Sequence, residues 1–163
     1  MAPKTTKKKT TKKLNISSAQ ELKVLRKIVE ITNSELDLNL ALKEVVKIVN
    51  DLTKADSVFI YLFDDKGKDL VLAASKTPHK KELGNLILKT GEGITGWVAK
   101  ENKPVAIRDG AYKDKRFKNF DVLPEDKYEA FLSIPINNSS HHVGVINVQH
   151  KKSHEYSKAS VDL

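Results

Sequence analysis

Three glycines within six residues form the pattern in this chain that most suggests chemistry. Gly91, Gly93 and Gly96 follow the G-x-G-x-x-G spacing, in which the backbone approaches a phosphate and the next helix N-terminus binds it. A predicted strand precedes the motif, a helix from about Ile94 to Glu101 follows, and Asp109 comes after the next strand. The helix is too short to cross a parallel sheet, and the flanking strands predict hairpins. A nucleotide site is therefore disfavoured, and the motif is interpreted as a turn that forms one wall of a pocket.

The remaining reactive residue types do not form a catalytic or metal-binding pattern. Cysteine is absent, which excludes disulfides, thiolate catalysis and sulfur metal sites. His150 and His154 are four residues apart, but the polar residues between them predict a turn rather than the helix that a metal-binding pair would need. Asp109, Asp114 and Asp121 share one loop, where turn and cap roles are commoner than catalysis. We predict no catalytic residue, no metal site and no enzymatic activity, and the sequence identifies no cofactor.

The long loop at residues 108–127 carries aromatic side chains that need an apolar environment. Folding of this loop over a sheet would enclose a mostly apolar pocket with a few polar groups, the usual form of a small-molecule site. Ser133, Asn147 and Gln149 offer polar atoms from strands that are otherwise apolar. The alternative, that the aromatic residues only fill the core, stays open. The candidate ligand-binding residues are Asp109, Tyr112, Phe117, Phe120, Tyr128, Phe131, Ser133 and Asn147.

Two helices are predicted before the first strand. Ser18 to Glu21 matches a capping box, and an apolar stripe at helical spacing follows it. That stripe includes Leu22, Leu25 and Val29, which could pack on the domain or on a second copy of the chain. A second helix is predicted from about Asp37 to Thr53, with a buried face formed by Leu38, Leu42, Val45, Val46, Val49 and Leu52.

Paired strands dominate the rest of the chain. Apolar runs at 57–63 and 70–74 flank a turn rich in aspartate, lysine and glycine, which predicts a hairpin. Shorter strands are predicted at 85–89 and 105–107, and a final hairpin at 130–136 and 143–149. Pro135 within that hairpin indicates an edge or an irregularity, because proline cannot donate to a strand ladder. Ser157 is the predicted cap of a last helix that is cut short at Leu163.

Charge is concentrated at the start of the chain. The net charge is +8, yet six lysines lie within residues 1–13, so the rest holds 23 basic and 21 acidic residues. Residues 1–15 have almost nothing to bury and are predicted to be a disordered tail, which could bind nucleic acid only non-specifically. No apolar run is long enough to span a bilayer or to form a secretory signal. We expect a cytoplasmic protein without a membrane partner.

The order of these motifs resembles a GAF domain. The similar stretches are Leu70 to Ser75, Gly91 to Ala99 with Lys103 to Val105, Asp109 with Asp114 to Phe117, and the hairpin from Phe131 to Val148. The resemblance covers about residues 18–163, and the domain is assigned to residues 16–163 as an excised unit. The nearest similarity is to bacterial GAF domains of phosphotransfer or transcription-regulating proteins.

The resemblance implies an α+β fold of the GAF/PAS type. It would have a six-stranded antiparallel sheet, with the N- and C-terminal helices on one face and loops and short helices on the other. It also implies a sensory or regulatory domain that binds a small molecule and forms a homodimer through its terminal helices, with Leu22, Leu25 and Val29 as candidate contacts. Because cysteine is absent, the members that attach a bilin and those that reduce methionine sulfoxide are excluded. The alternative is a ligand-free dimerisation or protein-interaction module.

Overall fold

A six-stranded antiparallel sheet forms the centre of the fold. The computed structural model describes residues 25–27, 37–76, 81–118, 128–157 and 161. The strands are β1 (Ser57–Phe63), β2 (Asp69–Ser75), β3 (Ile87–Lys89), β4 (Val105–Ile107), β5 (Ala130–Asn137) and β6 (His142–His150). They lie in the order β3-β2-β1-β6-β5-β4, and each neighbouring pair is antiparallel. The predicted α+β fold with a six-stranded antiparallel sheet is confirmed.

Both faces of the sheet are covered, because β1 is apolar at successive positions. Val58 and Ile60 join a core cluster with helix α1 (Leu38–Thr53) on one face. Phe59 and Tyr61 join the cluster on the opposite face, which contains helix α2 (Gly93–Glu101) and the short 3-10 helix Ala111–Lys113. Alternate side chains of a strand point to opposite faces, so one apolar strand serves two cores.

Helix α1 begins and ends where its capping residues require. The Asp37 side chain accepts a hydrogen bond from the Asn39 N–H at 3.2 Å, and Lys54 takes a left-handed conformation with φ of 51°. The helix therefore agrees with its predicted bounds. One prediction about its buried face is wrong: Leu38 is 61% exposed. Leu38 is the first residue of the helix, and its side chain does not reach the sheet.

Pro135 lies where its missing N–H costs no ladder hydrogen bond to the outer strand. Strand β4 pairs with β5 only through residues 131–133, so Pro135 is paired with Val145 of β6 alone. Of the two alternatives that the proline predicted, an edge or an irregularity, the structure shows a local edge beyond the end of β4.

The glycine stretch forms a tight turn and then helix α2. Gly91 and Gly93 have φ of 89° and 69°, a region that glycine enters without steric cost. Gly96 packs so closely that a Cβ atom there would lie 2.5 Å from the Lys89 carbonyl oxygen at the end of β3. Asn102 caps the helix in the left-handed conformation, so the helix ends at Glu101 as predicted.

Residues near the C-terminus contribute to the face covered by α1. Tyr156 and Val161 pack against that core cluster, on the face to which the resemblance assigned the terminal helices. Residues 25–27 are helical, and Leu25 is 57% exposed. The predicted tail at 1–15 and two of the predicted contact residues, Leu22 and Val29, lie outside the described residues.

Candidate functional site

A small cavity lies between the sheet and the first turn of α2. Its volume is about 20 Å³, room for about one water molecule. The sheet contributes Phe59, Tyr61, Leu88, Phe131, Asn147 and Gln149, the start of α2 contributes Glu92, Gly93, Ile94 and Thr95, and the following loop contributes Phe117 and Lys118. The wall is therefore apolar at its centre and polar at the helix terminus and on β6.

A buried chain of hydrogen bonds joins the helix to the sheet at this cavity. Ser133 Oγ donates to Asn147 Oδ1, and Asn147 Nδ2 donates to Thr95 Oγ1, both at 2.7 Å. The three residues are 0%, 2% and 6% exposed. Because each would be costly to bury without a partner, the chain positions the first turn of α2 over β5 and β6.

The N-terminus of α2 opens at the cavity without a side-chain cap. Glu92 occupies the cap position in an extended conformation, but its carboxylate does not bond the helix. Instead Glu92 forms an ion pair with Lys118 and accepts a bond from the Lys89 N–H. The hydrogen bond from Lys118 holds the pKa of the Glu92 carboxyl below its usual range. The carboxylate that would normally cap the helix thus holds the loop.

Gln149 is a buried polar residue at the same cavity. It is 6% exposed, and its Oε1 atom has no hydrogen-bond partner among the described residues. An acceptor that is buried without a donor is costly to the folded state. This atom is therefore the feature of the cavity wall that most requires an explanation.

The loop that closes the cavity is held by a second ion pair. Arg116 donates two hydrogen bonds to the Asp114 carboxylate, each at 2.9 Å, and its guanidinium lies 4.8 Å from the centre of the Trp97 ring. The bonded guanidinium keeps the pKa of Asp114 below its usual range. Trp97 packs against the apolar core, and the contact of Arg116 with its ring therefore connects this loop to the core.

The structure brings together only part of the predicted site. Phe117, Phe131 and Asn147 line the cavity, and Ser133 contacts it through its bond to Asn147. Asp109 is exposed and paired with Arg108 at 2.9 Å. Tyr112 and the buried Tyr128 do not line the cavity, and Phe120 lies outside the described residues.

Sequence reasoning missed Glu92, Thr95 and Lys118. The first two belong to the glycine stretch, which the interpretation as a pocket wall included without assigning their side chains. Lys118 directly follows Phe117, a predicted wall residue. Its place in the sequence was therefore the signal that could have identified a positive charge beside the pocket. Alternation along β1 would have placed Phe59 and Tyr61 on one face.

The part of the chain that the structure describes shows neither a metal-binding cluster nor a membrane-spanning helix. Within those residues, no group of three or more histidine, cysteine, aspartate or glutamate side chains could hold a metal ion. No helix of that part is long and apolar enough to span a membrane.

The chain is similar to known proteins in both sequence and fold. The family model described as the GAF domain matches residues 37–163. The GAF domain of a phosphoenolpyruvate-protein phosphotransferase from Coxiella burnetii is 32% identical, with a TM-score of 0.77 over 90% of this chain and 87% of that chain. The phosphoenolpyruvate-dependent phosphotransferase system protein of Escherichia coli K12 is 31% identical over 69% of this chain, and the Nif-specific regulatory protein of Herbaspirillum seropedicae is 28% identical over 78%. The chain spans only 15% and 24% of the length of those two relatives.

Proposed function

The chain belongs to the GAF domain family, and we propose that it is the small-molecule-binding input domain of a cytoplasmic regulatory protein. A ligand binds between the sheet and α2 and alters the packing of the terminal helices. The similarity to the GAF domain of a phosphoenolpyruvate-protein phosphotransferase and to a Nif-specific regulatory protein supports the regulatory role. The role is binding and signalling rather than catalysis.

The observation that carries this proposal is the set of polar groups buried in an apolar wall. Asn147, Gln149 and Thr95 meet around one cavity among aromatic and aliphatic side chains. A core that served packing alone would gain stability from apolar residues at these positions, because buried amides and hydroxyls must be satisfied one by one. Such a mixture is typical of sites that orient a small ligand.

The size of the cavity requires that the loop moves. Small-molecule pockets typically measure about 300–1,000 Å³, whereas this cavity measures about 20 Å³. The ion pairs Glu92–Lys118 and Asp114–Arg116 hold the loop at a partly exposed surface. Exposed ion pairs contribute about 0–1 kcal/mol each, so the release of Lys118 costs a ligand little. The ligand must also replace the apolar contacts that Phe117 makes with the core.

Hydrogen bonds link this loop region to the C-terminal segment. The Arg108 carbonyl accepts a bond from the His154 N–H at 3.0 Å. Glu129 accepts bonds from Gly110 N–H and Ala111 N–H, and its own N–H donates to the His150 carbonyl. A loop rearrangement would therefore bias the segment that leads to the last helix, provided that the ligand prefers one arrangement.

A thermal-shift screen of the full chain tests the proposal, using nucleotides, 2-oxo acids, amino acids and haem. A ligand should raise the melting temperature and shift the amide resonances of Asn147 and Gln149. Phe117→Ala should weaken binding, because it removes an aromatic wall of the cavity. Tyr112→Ala is the matched control, since Tyr112 is an aromatic residue of the same loop that does not line the cavity. The proposal is wrong if no compound binds, or if both variants weaken binding equally.

A ligand-free dimerisation module is the second candidate, and the exposure of Leu25 favours it. This leucine is helical and 57% exposed, and it belongs to the contact stripe that the sequence predicts with Leu22 and Val29. Sedimentation of the full chain should show a dimer that Leu25→Glu dissociates. Leu40→Glu is the control, because Leu40 is 47% exposed on α1, outside the predicted contact stripe. A monomeric wild-type chain would exclude this candidate.

A further inference from the structure

The first turn of α2 presents backbone donors to the cavity. Among the described residues, no acceptor bonds the backbone N–H groups of Gly93, Ile94 and Thr95, and Glu92 provides no side-chain cap. These three residues all line the cavity. Unsatisfied N–H groups and the helix dipole together make a helix N-terminus attractive to an anion.

The charges around this turn leave the site attractive to an anion. Glu92 carries a negative charge, but Lys118 pairs with it directly and Lys89 lies close enough to lower its pKa further. The two cations and the helix dipole therefore outweigh the single carboxylate. An acidic group placed at the N-terminus of α2 would also reach the Lys118 ammonium, because both line the same cavity.

The second half of the site requires the opposite chemistry. Gln149 Oε1 is an acceptor, is buried on a residue that is 6% exposed, and has no partner among the described residues. Gln149 lines the same cavity as the helix terminus. A ligand that satisfied this atom would have to carry an N–H or O–H donor.

We propose that the ligand of this pocket is a small organic acid that also carries a hydrogen-bond donor. Its acidic group binds the first-turn N–H groups of α2 and Lys118, and its N–H or O–H group donates to Gln149 Oε1. The acid takes over Lys118 from Glu92, so binding releases the internal ion pair that holds the loop. This inference rests on the proposed small-molecule function and assigns the chemical class of its ligand.

The test uses small probes that carry the proposed groups and need only a limited movement of the loop. The full chain is titrated with inorganic phosphate, acetate and glycine, with sodium chloride at matched ionic strength, and amide resonances are followed residue by residue. This readout separates the pocket from the lysine-rich start of the chain, which attracts anions by charge alone. A comparison of the affinities for phosphate and acetate shows whether the site prefers a phosphate or a carboxylate group. Glycine carries the donor that acetate lacks.

The expected result is a saturable shift at Gly93, Ile94 and Thr95 that chloride does not produce. Glycine should bind more tightly than acetate by roughly three- to tenfold, the range of one hydrogen bond. Gln149→Leu should remove that difference and leave acetate binding unchanged. If Gln149→Leu does not fold, the wild-type affinities for glycine and acetate still test the proposal. Equal affinities would overturn the inference that the ligand carries a hydrogen-bond donor.

Two lysine variants separate the site from general charge. Lys118→Gln should weaken the binding of both acids by up to roughly fivefold, the upper value for a solvent-exposed ion pair. Lys115→Gln removes an exposed lysine from the same loop that does not line the cavity, and it should change nothing. Glu92→Gln should strengthen binding, because it removes the competing carboxylate. Equal effects of Lys118→Gln and Lys115→Gln would overturn the proposal.

Failure of this proposal is distinguishable from failure of the proposed function. If a neutral or cationic compound from the wider screen binds at Asn147 and Gln149 while no acid shifts Gly93 to Thr95, the pocket binds small molecules and the acid assignment is wrong. If no compound of any class shifts the residues of the cavity, both proposals are wrong.

Discussion

The substitution Thr95→Val tests whether the buried hydrogen-bond chain positions α2 on the sheet. Valine has nearly the shape of threonine, and the two have similar helix propensities, so the hydroxyl group is the main change. Its removal deprives Asn147 Nδ2 of the acceptor that lies at 2.7 Å. Because Thr95 is 6% exposed and Asn147 is 2% exposed, water cannot readily replace that acceptor.

The size of the effect follows from leaving one donor unsatisfied. A buried polar group without its partner costs about 1–3 kcal/mol. The bond from Ser133 Oγ to Asn147 Oδ1 does not involve the lost hydroxyl and remains. We therefore expect the free energy of unfolding to fall by about 2 kcal/mol, the middle of that range.

Urea unfolding measures this change, with the fluorescence of the single tryptophan, Trp97, as the probe. The midpoint should decrease at constant slope, which indicates lost stability without a change in the surface exposed on unfolding. Thr90→Val is the control, because the Thr90 hydroxyl donates to the Lys68 carbonyl at an exposed site. The control should stay within about 0.5 kcal/mol of wild type. Equal losses for both variants would refute the assignment of a structural role to the buried chain.

Two further predictions follow from close packing and from burial. Gly96→Ala should destabilise the chain by about 1–3 kcal/mol, because a Cβ at Gly96 would lie 2.5 Å from the Lys89 carbonyl oxygen. This is the opposite of the usual preference for alanine over glycine in a helix, which is about 1 kcal/mol. A variant that is more stable than wild type in urea unfolding would contradict this prediction. Burial lowers the pKa of His150 from 6.5 to about 4, so the unfolded chain binds a proton that the folded chain excludes, and the free energy of unfolding should fall as the pH decreases between these values. His150→Gln should flatten this dependence and exposed His141→Gln should not, as unfolding at a series of pH values will show.

Features that depend on neighbouring residues could be predicted from the sequence. The Asp64 to Asp69 turn, the helix bounds near Asp37 and Asn102, and the edge position of Pro135 are set by local backbone preferences, and all are found. The hairpins β1–β2 and β5–β6 also follow from segments close in the chain. The pairing of β1 with β6 joins segments far apart in the chain, and only the family resemblance implied it. Local steric and hydrogen-bonding rules act over a few residues, so the sequence contains them directly.

The candidate site depends on residues that are far apart in the chain. Thr95 meets Asn147 across 52 positions, and Glu92 meets Lys118 across 26. Periodicity predicts which face of an element is buried, but it does not say which residue of another element lies opposite. For this reason the sequence predicted that Asn147 would be a polar residue on the floor of a pocket, but it could not identify Thr95 as its partner.

What the sequence by itself determined was the family, the elements and the existence of polar atoms on an apolar sheet. Only the tertiary structure decided that Gln149 Oε1, which has no donor among the described residues, lies at the same cavity as a helix terminus without a side-chain cap. The physical reason is that a buried polar atom finds a hydrogen-bond partner only among the residues that packing brings close to it. An unused acceptor and unused donors become recognisable as a site only when packing places them together.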